Sequence, residues 1–569
     1  MGSFRELVNL YEQLEEATSH ERIIELLANF FRHLGPEDVK MTAYLAIGTI
    51  GPKFEDIDLG IGDRNAIKAI ARAYEVPEKK VESKFAEMGD LGDAASSFNQ
   101  RKRSSITIRD VFQDLTEIRE ASGKGSKKQK IDLLSKMLSI SRPLESKYII
   151  RIACGRLRLG FGEKFLLEGL SLAFIGNRDN IDKVEDTYDI CTDIGQLAES
   201  MAKYGINSLG KFSIKLGRPV QTMLAKRVHS IEELNEKFPG KIAAEEKYDG
   251  ERVQVHVNGS NIQAFSRRLT DISEQFPDII EAVRESAQAD KMVLDGEIVA
   301  YNNGEFLPFQ KLMQRRRKYQ VEEYIEKIPV AVFFFDIIYL NGTSLMNRPY
   351  PKRRKILEEN LKETDRSKLA NRIVSEDFSK TMAFFDSCIK RGMEGIIIKS
   401  VKKKSTYKPG IRGWLWVKWK KEYIKDVRET FDLVIVGSYH GRGKRKGSFG
   451  ALLCAVLNKD KNQYETLTKV GTGFEEKDFE ELEKLLKNNS VKEQPVNVSI
   501  KKNMEPDRYI EPSVVIEVLG SEITSSPSHT AGTGDSKKGF ALRFPRFFRI
   551  RYDKAPSDAT TVEEVEELK

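Results

Sequence analysis

Apolar positions in the first two hundred residues recur every three or four residues, a spacing that predicts amphipathic helices. Residues 22–34 are a clear example, because a Thr-x-x-Glu capping box at residues 18–21 precedes them and Gly35-Pro36 follows. Comparable stretches continue along this region, and the polar, basic residues 93–105 predict a connection between helices. The N-terminal region is therefore predicted to be all-α.

The pattern changes after residue 212 to short β-rich runs separated by Gly, Asp-Gly and Asn-Gly turns. An Asp-Gly pair between two apolar runs, as at Asp249-Gly250, predicts a hairpin. The runs and the helical stretches between them predict an α+β domain with antiparallel sheets. Strands are expected at residues 242–257, 292–301, 330–340 and 395–399, and helices at residues 354–361 and 380–390.

A third pattern begins after residue 421, with strands expected at residues 431–438, 451–457 and 513–519 and a basic loop at residues 440–447. It predicts a small antiparallel barrel, followed by a short acidic helix within residues 561–569. The chain of 569 residues is long enough for several cores. We predict three domains, at residues 1–212, 213–421 and 422–569.

Composition narrows the functional classes. The 94 basic and 86 acidic residues leave a net charge of +8, which permits a nucleic-acid partner without requiring one. The four cysteines form no Cys-x-x-Cys pair, which argues against a zinc module or a disulfide framework. No apolar run approaches the length of a membrane span and no signal peptide is recognisable, so a cytoplasmic protein is expected.

Candidate chemistry begins at residues 247–252 (KYDGER), where Lys247 stands beside the Asp-Gly turn. A lysine in such a place can attack the α-phosphate of a nucleoside triphosphate once its amine is neutral. Desolvation, cationic neighbours or a bound metal favour the neutral form of a lysine. Taken alone, the motif is explained better by an exposed hairpin with ordinary charges.

Other motifs follow in order, each with an ordinary alternative. Glu297 ends an apolar Asp-Gly segment, where a carboxylate can accept a ribose hydroxyl or help to hold Mg²⁺. Asp336 lies in an apolar run and must be paired, cap a turn or lie in a site, because burying it alone would cost several kcal/mol. Its neighbour Phe335 could stack on a base, and Glu394 and Lys399 flank another apolar run.

Residues 414–420 (WLWVKWK) are more specific, because strand alternation places two lysines on one face. The face with the lysines is predicted to hold Trp414, Trp416, Lys418 and Lys420, and the opposite face Leu415, Val417 and Trp419. Neighbouring lysines repel each other unless an anion lies between them, and a polyphosphate is the natural candidate. Near the end of the chain, residues 542–554 interleave five basic residues with four aromatic ones, which suits contact with phosphates and bases.

Together and in this order, these motifs resemble the nucleotidyltransferase motifs of ATP-dependent DNA ligases, closest to the archaeal and eukaryotic replicative type. The matching stretches are KYDGER, SRR at residues 266–268, LDGE, FFDIIYLNG, EGIIIKS, WVKWKK and RFPRFFRIRYDK. Residues 148–163 resemble the helical DNA-binding domain of that family. The resemblance implies an all-α DNA-binding domain, an α+β adenylation domain and a C-terminal OB-fold barrel.

The resemblance also implies residue roles. Lys247 would be adenylated by ATP, with Glu245 reading the adenine amino group and Phe335 stacking on the ring. The ribose would be held by Arg252 and Glu297, and Arg267 would lie near the phosphates or the nick. The triphosphate would be neutralised by Arg412, Lys418 and Lys420. The metal, Mg²⁺ or Mn²⁺, would be held by Glu297 and Glu394. Pyrophosphate would be oriented by Arg551, Asp553 and Lys554.

The implied reaction seals nicks in duplex DNA through a lysyl-AMP and a DNA-adenylate, in replication, repair and recombination. A hinge at residues 421–427, a sliding clamp as a possible partner and a monomeric state are further expectations. An RNA ligase or an mRNA capping guanylyltransferase is the nearest alternative, because both share the Lys-x-Asp-Gly chemistry. A non-catalytic DNA-binding scaffold is the alternative from a different class. Preference for DNA or RNA nicks, and transfer of label from ATP to the protein, distinguish the three.

Overall fold

The computed structural model describes residues 2–17, 19–157, 159, 161–177, 179–228, 231–302, 304–307, 309–315, 321–420, 430–441, 448–520, 522–533 and 538–568. The chain divides into two compact units, Met1–Ile424 and Lys425–Lys569. The predicted hinge at residues 421–427 and most of the predicted basic loop at residues 440–447 lie outside the described residues. The three-domain division stays a prediction.

The first unit begins with a helical part, as the apolar spacing predicts. Its α-helices are α1 Phe4–Glu16, α2 His20–Arg32, α3 Pro36–Ala46, α4 Asp63–Ala73, α5 Glu78–Met88, α6 Leu91–Phe98, α7 Ile108–Glu120, α8 Ser126–Ile140, α9 Pro143–Ala153, α10 Glu163–Phe174, α11 Ile181–Cys191 and α12 Ile194–Tyr204. Their apolar faces form one continuous core. Stability of this part therefore comes from the packing of amphipathic faces.

Two predictions for the helical part are wrong in detail. Helix α2 is capped by Ser19, whose side chain accepts a hydrogen bond from the Arg22 amide, so the capping residue is one position later than predicted. The predicted connection at residues 93–105 is helical as far as Phe98, because Ala94 and Ala95 are fully buried in α6. Their small side chains carry little hydrophobic signal in the sequence, which hides the apolar face.

The rest of the first unit alternates strands and helices. The strands are β1 Leu224–Arg227, β2 Ile242–Lys247, β3 Glu251–Asn258, β4 Asn261–Ser266, β5 Lys291–Asn302, β6 Glu305–Phe306, β7 Val330–Leu340, β8 Thr343–Ser344, β9 Ser367–Leu369, β10 Arg372–Ser375, β11 Gly395–Ser400 and β12 Arg412–Lys420. The helices are α13 Ile231–Lys237, α14 Pro277–Ser286, α15 Phe309–Met313, α16 Val321–Lys327, α17 Tyr350–Asn360 and α18 Phe378–Lys390.

These strands form two sheets. Sheet I has the order β1-β12-β11-β2-β10. Among its described strands, β1 and β12 are parallel and the other neighbouring strands are antiparallel. Sheet II has the order β4-β3-β5-β7-β8, with β6 added to β5 and β9 added to β7. The expected strands and helices of the α+β part are therefore confirmed, with ends shifted by a few residues.

The hairpin predicted at Asp249-Gly250 is wrong, because β2 belongs to sheet I and β3 to sheet II. The chain crosses between the sheets at this turn. Gly250 does not have a positive φ; instead, a Cβ at this position would overlap the carbonyl oxygen of Ile298 in β5. Glycine is thus required by close backbone approach, and the crossing leaves Lys247 at the junction of the two sheets.

The predicted alternation along β12 holds only for its second half. Val417 and Trp419 pack in the core beside α18, where Trp419 stacks on Phe385 with ring centroids 5.5 Å apart. Trp414 packs in that same core and Leu415 packs with Trp416, the reverse of the prediction. The β1–β12 pairing shifts register between Ala225 and Lys226, and such a bulge turns the preceding side chains to the other face.

Asp336, the charged residue in the apolar strand β7, is paired. Both its oxygens accept hydrogen bonds of 2.8 Å from the guanidinium of Arg353 in α17, and both side chains are fully buried. Arg353 also donates to the carbonyl oxygens of Arg348 and Ser405, so it satisfies most of its donors. The pair fixes α17 against β7 next to Phe335.

The second unit contains the predicted C-terminal sheet domain. Its elements are β13 Thr430–His440, β14 Phe449–Asn458, β15 Gln463–Val470, α19 Glu476–Asn488, β16 Ser490–Val491, β17 Val498–Ser499, β18 Arg508–Ile510, β19 Val515–Leu519, β20 Glu522–Ser526, β21 Gly539–Arg543, β22 Arg546–Ile550 and α20 Val562–Glu567. The main sheet has the order β16-β18-β13-β14-β15-β17, with β19 joining β13 to β22. The short acidic helix α20 is confirmed.

Replacing Arg353 by Met should lower the free energy of unfolding by about 3–5 kcal/mol, because Asp336 would stay buried without its counter-charge. Urea unfolding followed by tryptophan fluorescence measures this, since all three tryptophans of the chain lie in β12. Lys355→Met on the same helix is the control, because Lys355 is exposed and, among the described residues, pairs only with exposed Glu359. Equal midpoints for the two variants would contradict a structural role for the buried pair.

Candidate active site

Strand pairing joins Lys247 to two other motif residues. Gly395, the first residue of β11, lies opposite Lys247 in β2 and opposite Lys420 in β12. Glu394 directly precedes Gly395; its carboxylate contacts the Lys247 amine and lies 2.8 Å from Nζ of Lys420. Lys247, Glu394 and Lys420, called here the lysine cluster, thus come together from three neighbouring strands.

The same face of sheet I continues behind the lysine cluster. Ile397 lies opposite Glu245 on one side and Lys418 on the other, and Lys399 lies opposite Ala243 and Trp416. Because side chains on one face recur every second residue, these residues lie on the same face of sheet I as Lys247. The register therefore places Glu245 beside Lys247 on this face, two residues earlier in β2.

Gly395 makes this arrangement possible. Its φ is +146°, a conformation that L side chains rarely adopt, and a Cβ there would overlap the carbonyl oxygen of Trp419. The close approach of β11 to β12 brings Glu394 to the ends of both neighbouring strands. The Glu-Gly pair of the EGIIIKS motif is thus explained by its geometry.

The charges of the lysine cluster act strongly on one another. Burial opposes the charged form of Glu394, but Lys247 and Lys420 outweigh it and lower the pKa of Glu394 to about 2. Burial, followed by the charges of Lys420, Lys247 and Arg412, lowers the pKa of Lys418. The cations Lys247, Lys418, Lys420 and Arg412 outnumber the nearby carboxylates, and this excess of positive charge favours binding of a polyanion.

Glu297 faces the cluster from sheet II. It is paired across the strands with Arg252 of β3 and is partly buried in β5. Burial raises the pKa of Glu297 to about 7, although Lys247 and Arg252 act in the opposite direction. Burial and the charge of Glu394 likewise raise the pKa of Asp249 to about 6. Carboxylates in such surroundings are stabilised in the charged form by an added cation.

Arg252 is held by residues that the sequence did not indicate. Its guanidinium binds both oxygens of Asp295, with Nε 3.0 Å from Oδ1 and Nη2 2.7 Å from Oδ2. Its Nη1 donates to the carbonyl oxygen of Met223 at 2.6 Å. The hydroxyl of Tyr407 donates to Oδ2 of Asp295 at 2.8 Å. One edge of the Arg252 side chain is therefore fixed before any ligand binds.

The Glu245 carboxylate is buried and has hydrogen-bond and charge partners. Its carboxylate accepts a hydrogen bond from the Tyr350 hydroxyl and lies 2.5 Å from Nζ of Lys399. The Lys399 amine in turn lies 4.2 Å from the ring centroid of Trp416 and 4.6 Å from that of Phe335. Phe335 is the partly exposed residue between buried neighbours in β7, so part of its ring remains open. These residues form a polar and aromatic region behind the lysine cluster, called here the pocket.

The structure does not bring all predicted residues into this pocket. Arg412 begins β12 and is exposed, but its charge still reaches Lys418. Arg267 is exposed in the turn after β4 and lines a separate cavity of about 430 Å³, shared with Thr49 and Pro52 of the helical part.

Arg551, Asp553 and Lys554 lie in the second unit, where they form one ion-pair network. Arg551 binds both oxygens of Asp553, at 2.8 and 2.7 Å, and Nη1 of Arg551 lies 2.8 Å from Oδ1 of Asp432. Lys554 donates to Oδ2 of Asp432 at 2.6 Å. The pKa of Asp553 falls well below its usual range because of its hydrogen bonds to Arg551.

Several residues of the pocket were missed as site residues: Asp295, Tyr350, Lys399, Tyr407 and Trp416. Alternate side chains of a strand share one face. Asp295 lies two residues before Glu297, and Lys399 lies four residues after Gly395, so strand alternation would have placed both on the faces that carry the site. No local signal distinguishes Tyr350 and Tyr407, which come from a helix start and from a loop. Within the described residues, no group of three or more His, Cys, Asp or Glu is arranged to hold a metal ion.

Three family models match the chain. Residues 3–171 match the DNA ligase N terminus, residues 222–420 the ATP dependent DNA ligase domain and residues 445–554 the ATP dependent DNA ligase C terminal region. The chain belongs to the ATP-dependent DNA ligase family.

Relatives extend this similarity to the full length. The ligase is 57% identical to DNA ligase 1 of Methanosarcina acetivorans over 577 residues, covering 100% of both chains. It is 40% identical to the probable DNA ligase of Persephonella marina over 570 residues, covering 99% of this chain and 98% of the relative. A solved structure described as Pmar-Lig_PreS3 covers 96% of this chain and 99% of its own, with a TM-score of 0.56 and 17% identity, and shows the same fold.

The ligase therefore uses ATP and seals nicks in DNA, and the predicted family, enzyme class and fold class are confirmed. An RNA ligase, a capping enzyme and a non-catalytic scaffold are not favoured. Among the described residues, no helix is both long and apolar enough to cross a membrane.

The raised pKa of Glu297 predicts a pH-dependent stability. The folded chain holds a proton that the unfolded chain releases near its ordinary pKa, so the stabilisation is complete below that value and is lost as the pH rises through about 7. Between pH 5 and 8 the wild type should lose up to about 3 kcal/mol more than Glu297→Gln.

Thermal unfolding followed by tryptophan fluorescence at each pH measures the difference. Glu305→Gln is the control, because Glu305 is an exposed glutamate in the neighbouring strand β6 and should keep the wild-type pH dependence. Parallel pH curves for the wild type and Glu297→Gln would show that Glu297 titrates as an ordinary surface carboxyl.

Proposed function

We propose that Lys247 is the nucleophile of nick sealing. The observation that carries this proposal is the lysine cluster, in which strand pairing sets Lys247 beside Lys420 and Glu394 at the junction of two sheets. The amine of Lys247 attacks the α-phosphorus of ATP. An N–P bond forms, the bond from the α-phosphorus to the bridging oxygen breaks, and pyrophosphate leaves.

Two further transfers complete the reaction. A 5′-phosphate oxygen at the nick attacks the lysyl-AMP phosphorus, which forms DNA-adenylate and returns the amine. The 3′-hydroxyl then attacks the 5′-phosphorus, closes the phosphodiester bond and releases AMP. All three steps are phosphoryl transfers, in which positioning and charge neutralisation supply most of the acceleration.

The nucleotide base is proposed to occupy the pocket behind the lysine cluster. Glu245 would accept a hydrogen bond from the adenine amino group, and the partly open ring of Phe335 would stack on the base. Lys399 and Tyr350 support this role, because they fix the orientation of the Glu245 carboxylate. Arg252 would contact the ribose from the side that Asp295 leaves free.

The phosphates are proposed to bind the excess of cations near Lys247. Lys418 and Lys420 lie on one face of β12, and Arg412 adds its charge from the start of that strand. Arg267 would act near the nick. Arg551, Asp553 and Lys554 would orient pyrophosphate, and this part of the proposal is supported by their match to the family motif.

A divalent cation, Mg²⁺ or Mn²⁺, is proposed to bind beside Glu297 and Glu394. Mg²⁺ is commonly held by one or two carboxylates together with substrate phosphates, and these two glutamates fit that donor set. The raised pKa of Glu297 supports the assignment, since an adjacent cation would favour its charged form. When bound there, such a cation would supply neutralisation of the charge that develops on the phosphates.

Nicked duplex DNA is the substrate, and binding to its backbone should weaken with added salt. We also propose a cytoplasmic location, where such DNA is found, and roles in replication, repair and recombination. A sliding clamp as partner and a monomeric state stay predictions, which size-exclusion chromatography with light scattering can check.

Incubation with α-phosphate-labelled ATP and Mg²⁺ should label the wild-type protein, and a chase with nicked DNA should release the label through DNA-adenylate to AMP. Lys247→Ala should abolish labelling, and Lys247→Arg should abolish it too, because a guanidinium keeps the charge but is a poor nucleophile. Lys420→Met should slow labelling by roughly 10²–10³-fold through loss of transition-state charge stabilisation.

Lys362→Ala is the matched control, because Lys362 is an exposed lysine just after α17. It should label at the wild-type rate. Labelled Lys247→Ala protein would mean that another residue carries AMP and would reject the proposed nucleophile.

A further inference from the structure

We infer that Asp189 is a positioning residue through which the helical part of the chain sets the Arg252–Asp295 ion pair of the nucleotide site. Asp189 lies near the end of α11 and touches two segments, and both segments lead to that ion pair. The inference rests on the proposed function, in which Arg252 contacts the nucleotide.

The first segment is the connection that enters sheet I. The carbonyl oxygen of Asp189 accepts a hydrogen bond of 2.7 Å from the Gln221 amide. Two residues later, the carbonyl oxygen of Met223 accepts from Nη1 of Arg252 at 2.6 Å, and the Met223 amide donates to the Tyr407 hydroxyl at 3.1 Å. A shift of Asp189 therefore moves an acceptor of the Arg252 guanidinium.

The second segment is the loop between β11 and β12. Gly410 in this loop has a φ of +69°, and a Cβ there would overlap the carboxylate of Asp189. Tyr407 lies three residues earlier and donates to Asp295 at 2.8 Å. The Asp189 carboxylate thus rests against the loop that holds the partner of Arg252.

The Asp189 carboxylate has no stabilising partner to explain its place. Within the described part of the chain, it makes no hydrogen bond or ion pair, and the charges that act on its pKa are those of Asp186, Glu185 and Glu163. Burial and these like charges raise the pKa of Asp189 to about 7. A partly buried carboxyl without a partner costs stability, so its packing against Gly410 is the remaining contact that explains the place of the carboxylate.

The two contacts have a common consequence. Both the acceptor and the hydroxyl that position the Arg252–Asp295 pair are held from one residue of α11. A displacement of the helical part, for example when it binds DNA, would reach the nucleotide site by a short series of hydrogen bonds and packed atoms. Coupling of this kind requires a test by paired substitutions.

Gly410→Ala is expected to push the loop from Asp189 and raise the ATP concentration for half-maximal self-adenylation by roughly three- to tenfold, with less effect on the maximal rate. Gly259→Ala is the control, because Gly259 also has a positive φ, +58°, but a Cβ there meets no atom within 4 Å. It introduces similar backbone strain without a clash and should stay near the wild type.

Two double variants separate positioning from general damage. Adding Asp189→Ala to Gly410→Ala removes the overlapping carboxylate, so the half-saturating ATP concentration should fall back to that of Asp189→Ala alone. In an Arg252→Ala background, Gly410→Ala should have no further effect, because the residue through which it acts is gone. Loss of general stability would persist in both backgrounds.

The inference is overturned if Gly410→Ala leaves the half-saturating ATP concentration as close to the wild type as Gly259→Ala does. It is also overturned if the fold-changes of Asp189→Ala and Gly410→Ala multiply in the double variant, or if Gly410→Ala still raises this concentration in the Arg252→Ala background. In each case the wild type still labels at Lys247, so the proposed function stands. Absence of label on the wild type would overturn the proposed function and this inference with it.

Discussion

The pairing register of β2, β11 and β12 is the constraint on which the site depends. Gly395 lies opposite both Lys247 and Lys420, so one residue in the middle strand fixes the spacing of two lysines from different parts of the chain. Because side chains alternate between faces, a shift of the pairing by one residue would turn the site side chains of the shifted strand toward the core beside α18. The hydrophobic core beside α18, into which Ile396, Ile398 and Val417 pack, holds the register.

Buried ion pairs then orient the side chains that the register places. Arg353–Asp336 joins α17 to β7, Arg252–Asp295 joins β3 to β5, and Lys399–Glu245 joins β11 to β2. Each pair gives up hydration, so net stabilisation is a weak explanation for its presence. Each links two neighbouring elements and fixes one orientation, which suits a site that must hold a nucleotide in line with a nucleophile.

Much of this structure could be predicted from the sequence, but unevenly. Strand β7 was predicted with the observed bounds, since an unbroken apolar run with turns on both sides carries its own signal. The hairpin at Asp249-Gly250 was wrong, because the choice between a hairpin and a crossing depends on the close approach of Ile298, about fifty residues away. Lys247 and Glu394 are indicated by their local motifs, whereas Glu245 is predicted only through the family resemblance. Tyr350, which binds Glu245, and Tyr407, which binds Asp295, are not predicted, since their roles arise only from tertiary contacts.

The crossing between the sheets at Gly250 also limits how such a chain can change length during evolution. Lys247 is the last of the six residues of β2, and β2 is paired with a strand on each side, β10 and β11. Inserting or deleting one codon within β2 would therefore move the Lys247 amine to the other face of the sheet. The turn Asn258–Asn261 between β3 and β4, by contrast, joins strands within one sheet and has open space around Gly259. Insertions and deletions should therefore be found mainly in turns of that kind, while the segment from β2 to β3 keeps a fixed number of residues.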